Sequence, residues 1–303
     1  MDLGPLTGRV AGAPISWGVS EAPDWGHELP APVVLAQMAE VGLAATELGP
    51  TGYLGATPDA VRAALESHDL SLIGGFLPVT LHLDADVDLA AAEAAIRTLA
   101  AAGSEVVVLA ADAGPSGYDS KVELDDDQWR HLLRNLARVR ALVADLGLRT
   151  TLHPHVGTAI ESAETVRRLL HDSDVPLCLD TGHLAIGGTD PVDLARSAPE
   201  RVGHVHLKDV RADVATSVEK GAVSWVDGVR GGLFAPLGDG DLDIAGVVLA
   251  LEETGYHGWY VLEQDTALPG IPAAGQGPIL DVRRSIDFLR DTVVPALAAG
   301  RRA

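Results

Sequence analysis

Six of the eleven histidines in this chain lie between residues 153 and 206. Five of the six fall in three clusters: His153 and His155 in TTLHPHVGT, His183 with Asp180 in LCLDTGHLAIGG, and His204 and His206 with Lys208 in VGHVHLKDV. Each cluster closes a short apolar run rich in Val, Leu or Thr, so each reads as the end of a strand. The run WYVLEQ ends in Glu263 in the same way. A divalent ion needs three or four N or O ligands converging from different segments, and His with carboxylate suits Mn²⁺, Zn²⁺, Co²⁺ or Fe²⁺. His153, Asp180, His206 and Glu263 offer one such ligand from each of four consecutive strands.

These residues need a scaffold that brings strand ends together. Along the chain, short apolar runs alternate with longer segments of helical period, which calls for a parallel sheet covered by helices. The expected strands are 10–17, 43–48, 71–77, 105–111, 149–153, 176–180, 202–208 and 259–264. The helices between and after them fall near 31–41, 57–67, 87–102, 125–146, 161–171, 191–197, 243–254 and 281–297. Thr57 and Pro58 read as a helix N-cap and first turn, and Asp125 to Asp127 as a cap rather than a metal box. Eight strand-helix pairs predict an α/β fold of the (β/α)₈ TIM-barrel type, one domain over residues 1–303, with its active site at the carboxyl ends of the strands. An open doubly wound sheet is the weaker alternative, since no G-x-G-x-x-G follows the first strand.

The chain's 47% hydrophobic content is enough for one large core, and the formal charge of −21 repels phosphate backbones and anionic lipid. The expectation is a small-molecule partner, with no nucleic acid and no membrane. A single cysteine, Cys178, excludes an internal disulfide framework, and no run of 18 apolar residues or signal-peptide layout is visible. The protein is therefore expected to be soluble and cytoplasmic.

The motifs TELGPTGYL (46–54), LHPHVGT (152–158), LDTGH (179–183), HVHLKD (204–209), FAPLGDGDLD (234–243) and GWYVLEQD (258–265) resemble those of the sugar phosphate isomerase/epimerase superfamily of xylose-isomerase-like barrels. Within it, FxPLGxGDxD together with GWxVxEQD is similar to the inosose dehydratase branch. The resemblance implies that Asp180, His206 and Glu263 ligate a metal and that His183 and Lys208 face the substrate. It also implies one divalent ion, Mn²⁺ first and Co²⁺ or Zn²⁺ as alternatives, a polyol or keto-sugar substrate, and, for such barrels, association into homo-oligomers. At position 153 this sequence departs from the superfamily's epimerases, which place a glutamate there. His153 can still bind metal, but the pair of carboxylates that exchanges a proton across a carbonyl-adjacent carbon is lost. The expected activity is thus a metal-dependent lyase that dehydrates a keto-polyol such as 2-keto-myo-inositol, with a keto-sugar epimerase or isomerase as the alternative.

A ketone polarised through its oxygen by such an ion has an acidic neighbouring C–H; a base removes that proton and an acid protonates the hydroxyl that leaves as water. Lys208 or a histidine would serve as one partner and Glu263 or Glu47 as the other. Trp17, Glu47, His155, His183 and Lys208 are the expected substrate contacts, with rival readings kept beside them. His155 could instead neighbour the metal or orient His153, Glu47 could cap a segment, and Trp17 could be packing. Lys208 could merely pair with an acidic neighbour such as Asp209. His204 shares a face with His206 but lies one layer deeper, and Cys178 reads as core filler. Residues 209–242 are expected to form a long loop over the active site that helps exclude water.

Overall fold

A computed structural model describes residues 2–22, 24–83, 87, 89–114, 119, 121–273 and 275–300. Eight parallel strands close into a barrel: Val10–Gly12, Ala45–Glu47, Ser71–Val79, Val106–Ala111, Arg149–Leu152, Leu177–Asp180, Val202–Leu207 and Tyr260–Leu262. Each pairs with the next in the chain, except that the eighth lies between the seventh and the first. Closure rests on the registers Val10 opposite Tyr260 and Tyr260 opposite Val205.

Local chemistry sets the helices between them. Thr57 caps the helix Pro58–Glu66 by accepting the Ala60 N–H. Asp125 and Gln128 form a reciprocal capping box at the head of Asp126–Asp145, so the acidic triplet is a cap, as its sequence suggests. Leu132, Leu136, Val139 and Val143 recur at helical spacing on that helix and are all buried against the sheet. Inside the barrel the filling is small: Ala11, Ala45, Ile73 and Val261 in one cluster, Val106, Val108 and Cys178 in another. Cys178 is fully buried, and burial pushes its thiol up to about 12. Among the described residues no helix is long and apolar enough to cross a membrane.

The structure differs from the sequence-based expectation in three places. The first strand stops at Gly12, and Pro14–Trp17 is a 3-10 turn, because proline lacks the N–H that a strand would use and its fixed φ suits a first helical position. A short helix, Thr181–Ile186, follows directly on the sixth strand. Residues 209–242 are ordered rather than a bare loop: Asp209–Val210 pairs antiparallel with Phe234–Ala235, and helices Ala212–Glu219 and Trp225–Arg230 lie between them. This segment has its own apolar cluster, in which Val210, Trp225, Val229, Leu233 and Phe234 pack with Trp25 and Val156.

Candidate metal centre and active site

His153, Asp180, His206 and Glu263 come from the ends of the fifth to eighth strands, and one ligand atom of each lies within 4.8 Å of one atom of every other. Asp180 faces His206 directly in the strand register. Its Oδ1 accepts the His183 N–H at 2.8 Å and so caps the helix that follows. That leaves Oδ2 turned to the cluster, 3.3 Å from His153 Nε2, 3.6 Å from His206 Nδ1 and 3.5 Å from Lys208 Nζ. His206 Nδ1 and Glu263 Oε2 approach to 2.7 Å, yet both are buried atoms with no hydrogen-bond partner. Neither atom is satisfied by the other, and a cation held beside them would satisfy both.

Three observations bear on whether a divalent ion fits there. The separations around Asp180 Oδ2 match the about 3.4 Å expected between ligands of a tetrahedral ion with ~2.1 Å bonds. Burial works against ionisation of Asp180, but Lys208 nearby holds its carboxyl well below the usual range, and His206 and Lys208 likewise keep Glu263 low. Burial keeps His153 low and therefore neutral. Finally, the buried carboxylates of Glu47, Asp180 and Asp265 and the slightly exposed Glu263 lie about the Lys208 ammonium and His206; burial raises Asp265 only to about 6, so it still ionises near neutral pH. Even with His206 protonated, the four outweigh the two cations by about two charges, a costly excess in a dry interior unless a cation offsets it. The residues present fit the group.

Beside this quartet stands a second constellation. Lys208 is 1% exposed, with Nζ 2.7 Å from Asp265 Oδ1, 3.2 Å from Glu263 Oε2 and 3.1 Å from His183 Nε2. Burial alone would strip its proton, but Asp180, Asp265 and Glu263 carry its pKa well above the ordinary value, so it stands as an ammonium. Its alkyl chain runs past the start of the helix Thr181–Ile186, where a Cβ on Gly182 would come within 2.9 Å of it. Phe234 lies 5.0 Å from the ammonium, ring face toward the charge. His183 is pushed well down by burial and by its neighbours His155 and Lys208, and so accepts the Lys208 bond as a neutral ring. The His155 ring packs on His183 with centroids 3.8 Å apart, and the Trp225 ring stacks with His183 at 5.6 Å and 21°. His155 Nδ1 donates to the Val156 carbonyl at 2.7 Å, and burial pushes this histidine down to about 3.

The expected site residues sort accordingly. His153, Asp180, His206 and Glu263 are gathered, with Lys208, His183 and His155 against them. Glu47 is turned into the barrel interior, where Oε1 accepts from His204 Nε2 at 2.8 Å and His206 Nε2 at 3.0 Å, so it stands behind the quartet and not at the mouth. Its ionisation, opposed by burial, is held by His206 and His204. Trp17 is not brought to the cluster. The 3-10 turn directs its fully buried ring toward the helix layer, where Nε1 donates to Gln37 Oε1 at 2.8 Å. Asp209, the sequence's rival partner for Lys208, points away and accepts backbone N–H groups of Val210, Gly238, Gly240 and Leu242.

The residues 35–292 match the model of a family described as the xylose isomerase-like TIM barrel. The chain belongs to that family. Its relatives include inosose dehydratase of Geobacillus kaustophilus strain HTA426, 31% identical over 86% of this chain and 89% of that protein. Another is the rhizopine catabolism protein MocC of Rhizobium meliloti, 32% identical over 85% and 81% of the two chains. Among solved structures the barrel is similar to that of L-ribulose 3-epimerase, with TM-score 0.68, 19% identity and coverage of 97% and 96%. It is also similar to that of the IolI protein with a binding zinc atom, with TM-score 0.67, 13% identity and coverage of 95% and 98%. Within this family frame, two residues of the cluster escaped the reading of the sequence. Asp265 lies two residues past Glu263, hence on the same side of an extended chain, and it ends the motif GWYVLEQD. Phe76, 36% exposed, sets its ring 6.0 Å from His153 and 5.7 Å from His155 and forms an apolar wall; its place two residues after Gly74 on one strand face was the available signal.

Proposed function

We propose that this chain is a metal-dependent hydro-lyase that removes water from a keto-polyol of the 2-keto-myo-inositol kind. The observation that carries the reading is the strand-end quartet with an imidazole, His153, where a proton-exchanging pair would need a second carboxylate. A divalent ion held by His153, Asp180, His206 and Glu263 would supply Lewis acidity toward a ketone oxygen and so acidify the neighbouring C–H. Of the four side chains, Glu263 is the most exposed, 13% against 2% or less for the others. Glu263 is therefore the base that takes the carbon-bound proton.

Lys208 holds a proton 3.2 Å from that carboxylate and gives it to the hydroxyl leaving the next carbon; a carbon–carbon double bond forms and water departs. Asp265 and His183 fix the ammonium, and the stacked rings of His155, His183 and Trp225 with Phe76 enclose the substrate and keep bulk water away. Dehydratase relatives at about a third identity support the choice of reaction.

The test is metal analysis of the purified protein followed by incubation with 2-keto-myo-inositol, read by ultraviolet absorption of the dione product and repeated in D₂O. A rising dione signal is expected. Recovery of a substrate isomer carrying solvent deuterium, with no loss of water, would assign an epimerase instead. Inertness of the metal-loaded protein toward keto-inositols overturns the proposal.

A further inference from the structure

We propose that Glu47 is a positioning residue for the cation: with His204 as its anchor, it fixes which ring nitrogen His206 presents. The inference rests on the metal reading above and concerns residues outside the ligand quartet.

Glu47 ends the second strand, while His204 and His206 lie on the seventh, so the contact spans the barrel interior and joins strands that are not neighbours in the sheet. Two local features direct the carboxylate inward. The pairing of the second and third strands slips between Thr46 and Glu47, so that Thr46 faces Leu72 but Glu47 faces Gly74. Gly74 also leaves room, since a Cβ there would come within 3.3 Å of Glu47 Oε1.

The hydrogen-bond logic then has one solution. An ionised carboxylate only accepts, so the two imidazoles at 2.8 and 3.0 Å must both carry hydrogen on Nε2. For His206 this dedicates Nε2 to Glu47 and turns Nδ1 toward Asp180 and Glu263, where that atom is buried without a hydrogen-bond partner. A rotated ring would break the Glu47 bond and aim Nε2 at the quartet. His204 takes no place in that quartet; with Glu47 and His206 it forms a second group close enough for a cation, whose two Nε2 atoms are instead engaged by Glu47 Oε1. The bond that His204 donates holds Glu47 Oε1 in position, so that one oxygen serves two rings. Carboxylate-to-imidazole-to-metal chains of this kind orient the ligand and raise its basicity, and their loss costs about 10–100-fold in metal affinity.

The experiment compares wild type with Glu47→Gln and His204→Asn, using Zn²⁺ and Co²⁺ alone as probes. Affinity is measured by competition with a chromogenic chelator, and the coordination sphere by the visible spectrum of bound Co²⁺. Long-range proton–nitrogen spectra of the Zn²⁺-loaded wild type report the tautomer directly and need no variant to fold. The expected results are Nδ1 ligation with Nε2–H on His206, a 10–100-fold loss of affinity and an altered Co²⁺ spectrum in Glu47→Gln, and a smaller loss in His204→Asn. Nε2 ligation by His206, or unchanged affinity in a folded Glu47→Gln, overturns the positioning role while leaving the metal reading intact. A wild type that retains neither ion overturns both.

Discussion

At position 208 an ammonium is sealed between the carboxylates of Asp180, Glu263 and Asp265, and its fate under mutation follows from that company. Lys208→Met keeps the alkyl volume but leaves buried negative charge unpaired. Removing one partner of such a pair costs about 3–5 kcal/mol. Urea denaturation with the ion removed by chelation should register a loss of that size together with loss of turnover; an undiminished midpoint would mean that the ammonium is not paired as described. Residue type at a strand end was enough to single out His153, Asp180, His206, Glu263 and Lys208 in the sequence. Side-chain direction was not legible in the same way. Trp17 and Glu47 were expected at the mouth, but a proline-led turn rotates one into the helix layer and a slipped register sends the other into the barrel. Asp265 was overlooked because a carboxylate beyond a strand end looks like any other polar loop residue until a buried lysine is found 2.7 Å away.

At the scale of elements, the antiparallel ribbon and two helices between Asp209 and Ala235 set Trp225 against His183 and Phe234 against Lys208, and on the function proposed above they would form a cover over that side of the site. Asp209 ties the return of this segment with three N–H groups, from Gly238, Gly240 and Leu242. Asp209→Ala should therefore loosen the cover while leaving the barrel folded. Faster limited proteolysis between residues 211 and 241 is expected, with kcat/KM lowered by roughly tenfold or more, since displaced positioning groups lose orientation. Equal proteolysis of variant and wild type would count against the role given to Asp209. The helices and strands of the barrel were readable because each is long enough to display a period. The short pieces of residues 209–242 carry no period at all, and their order comes from packing on one another and on Trp25 and Val156, which lie far away in the chain.

For the whole molecule, the sealed excess of negative charge makes the folded state depend on what neutralises it. Chelation of the purified protein should lower Tm, and readdition of Mn²⁺, Co²⁺ or Zn²⁺ should restore it. At a free ion concentration a hundred times Kd the gain is about 2.7 kcal/mol. A Tm indifferent to chelator in protein shown by elemental analysis to have lost its ion would set the metal reading aside. The barrel itself followed from the count of eight strand-helix units, because so many parallel strands with short connections close most readily on themselves. Closure also depends on the strand that comes last in the chain. The eighth strand is wedged between the first and the seventh, and it brings Glu263 and Asp265 with it. Until that strand is in place the first strand lacks its neighbour on one side, and Glu263 and Asp265 are missing from around Lys208. On the metal reading proposed above, a chain lacking that strand would miss one of the four ligands, Glu263, and with it the closure of the centre.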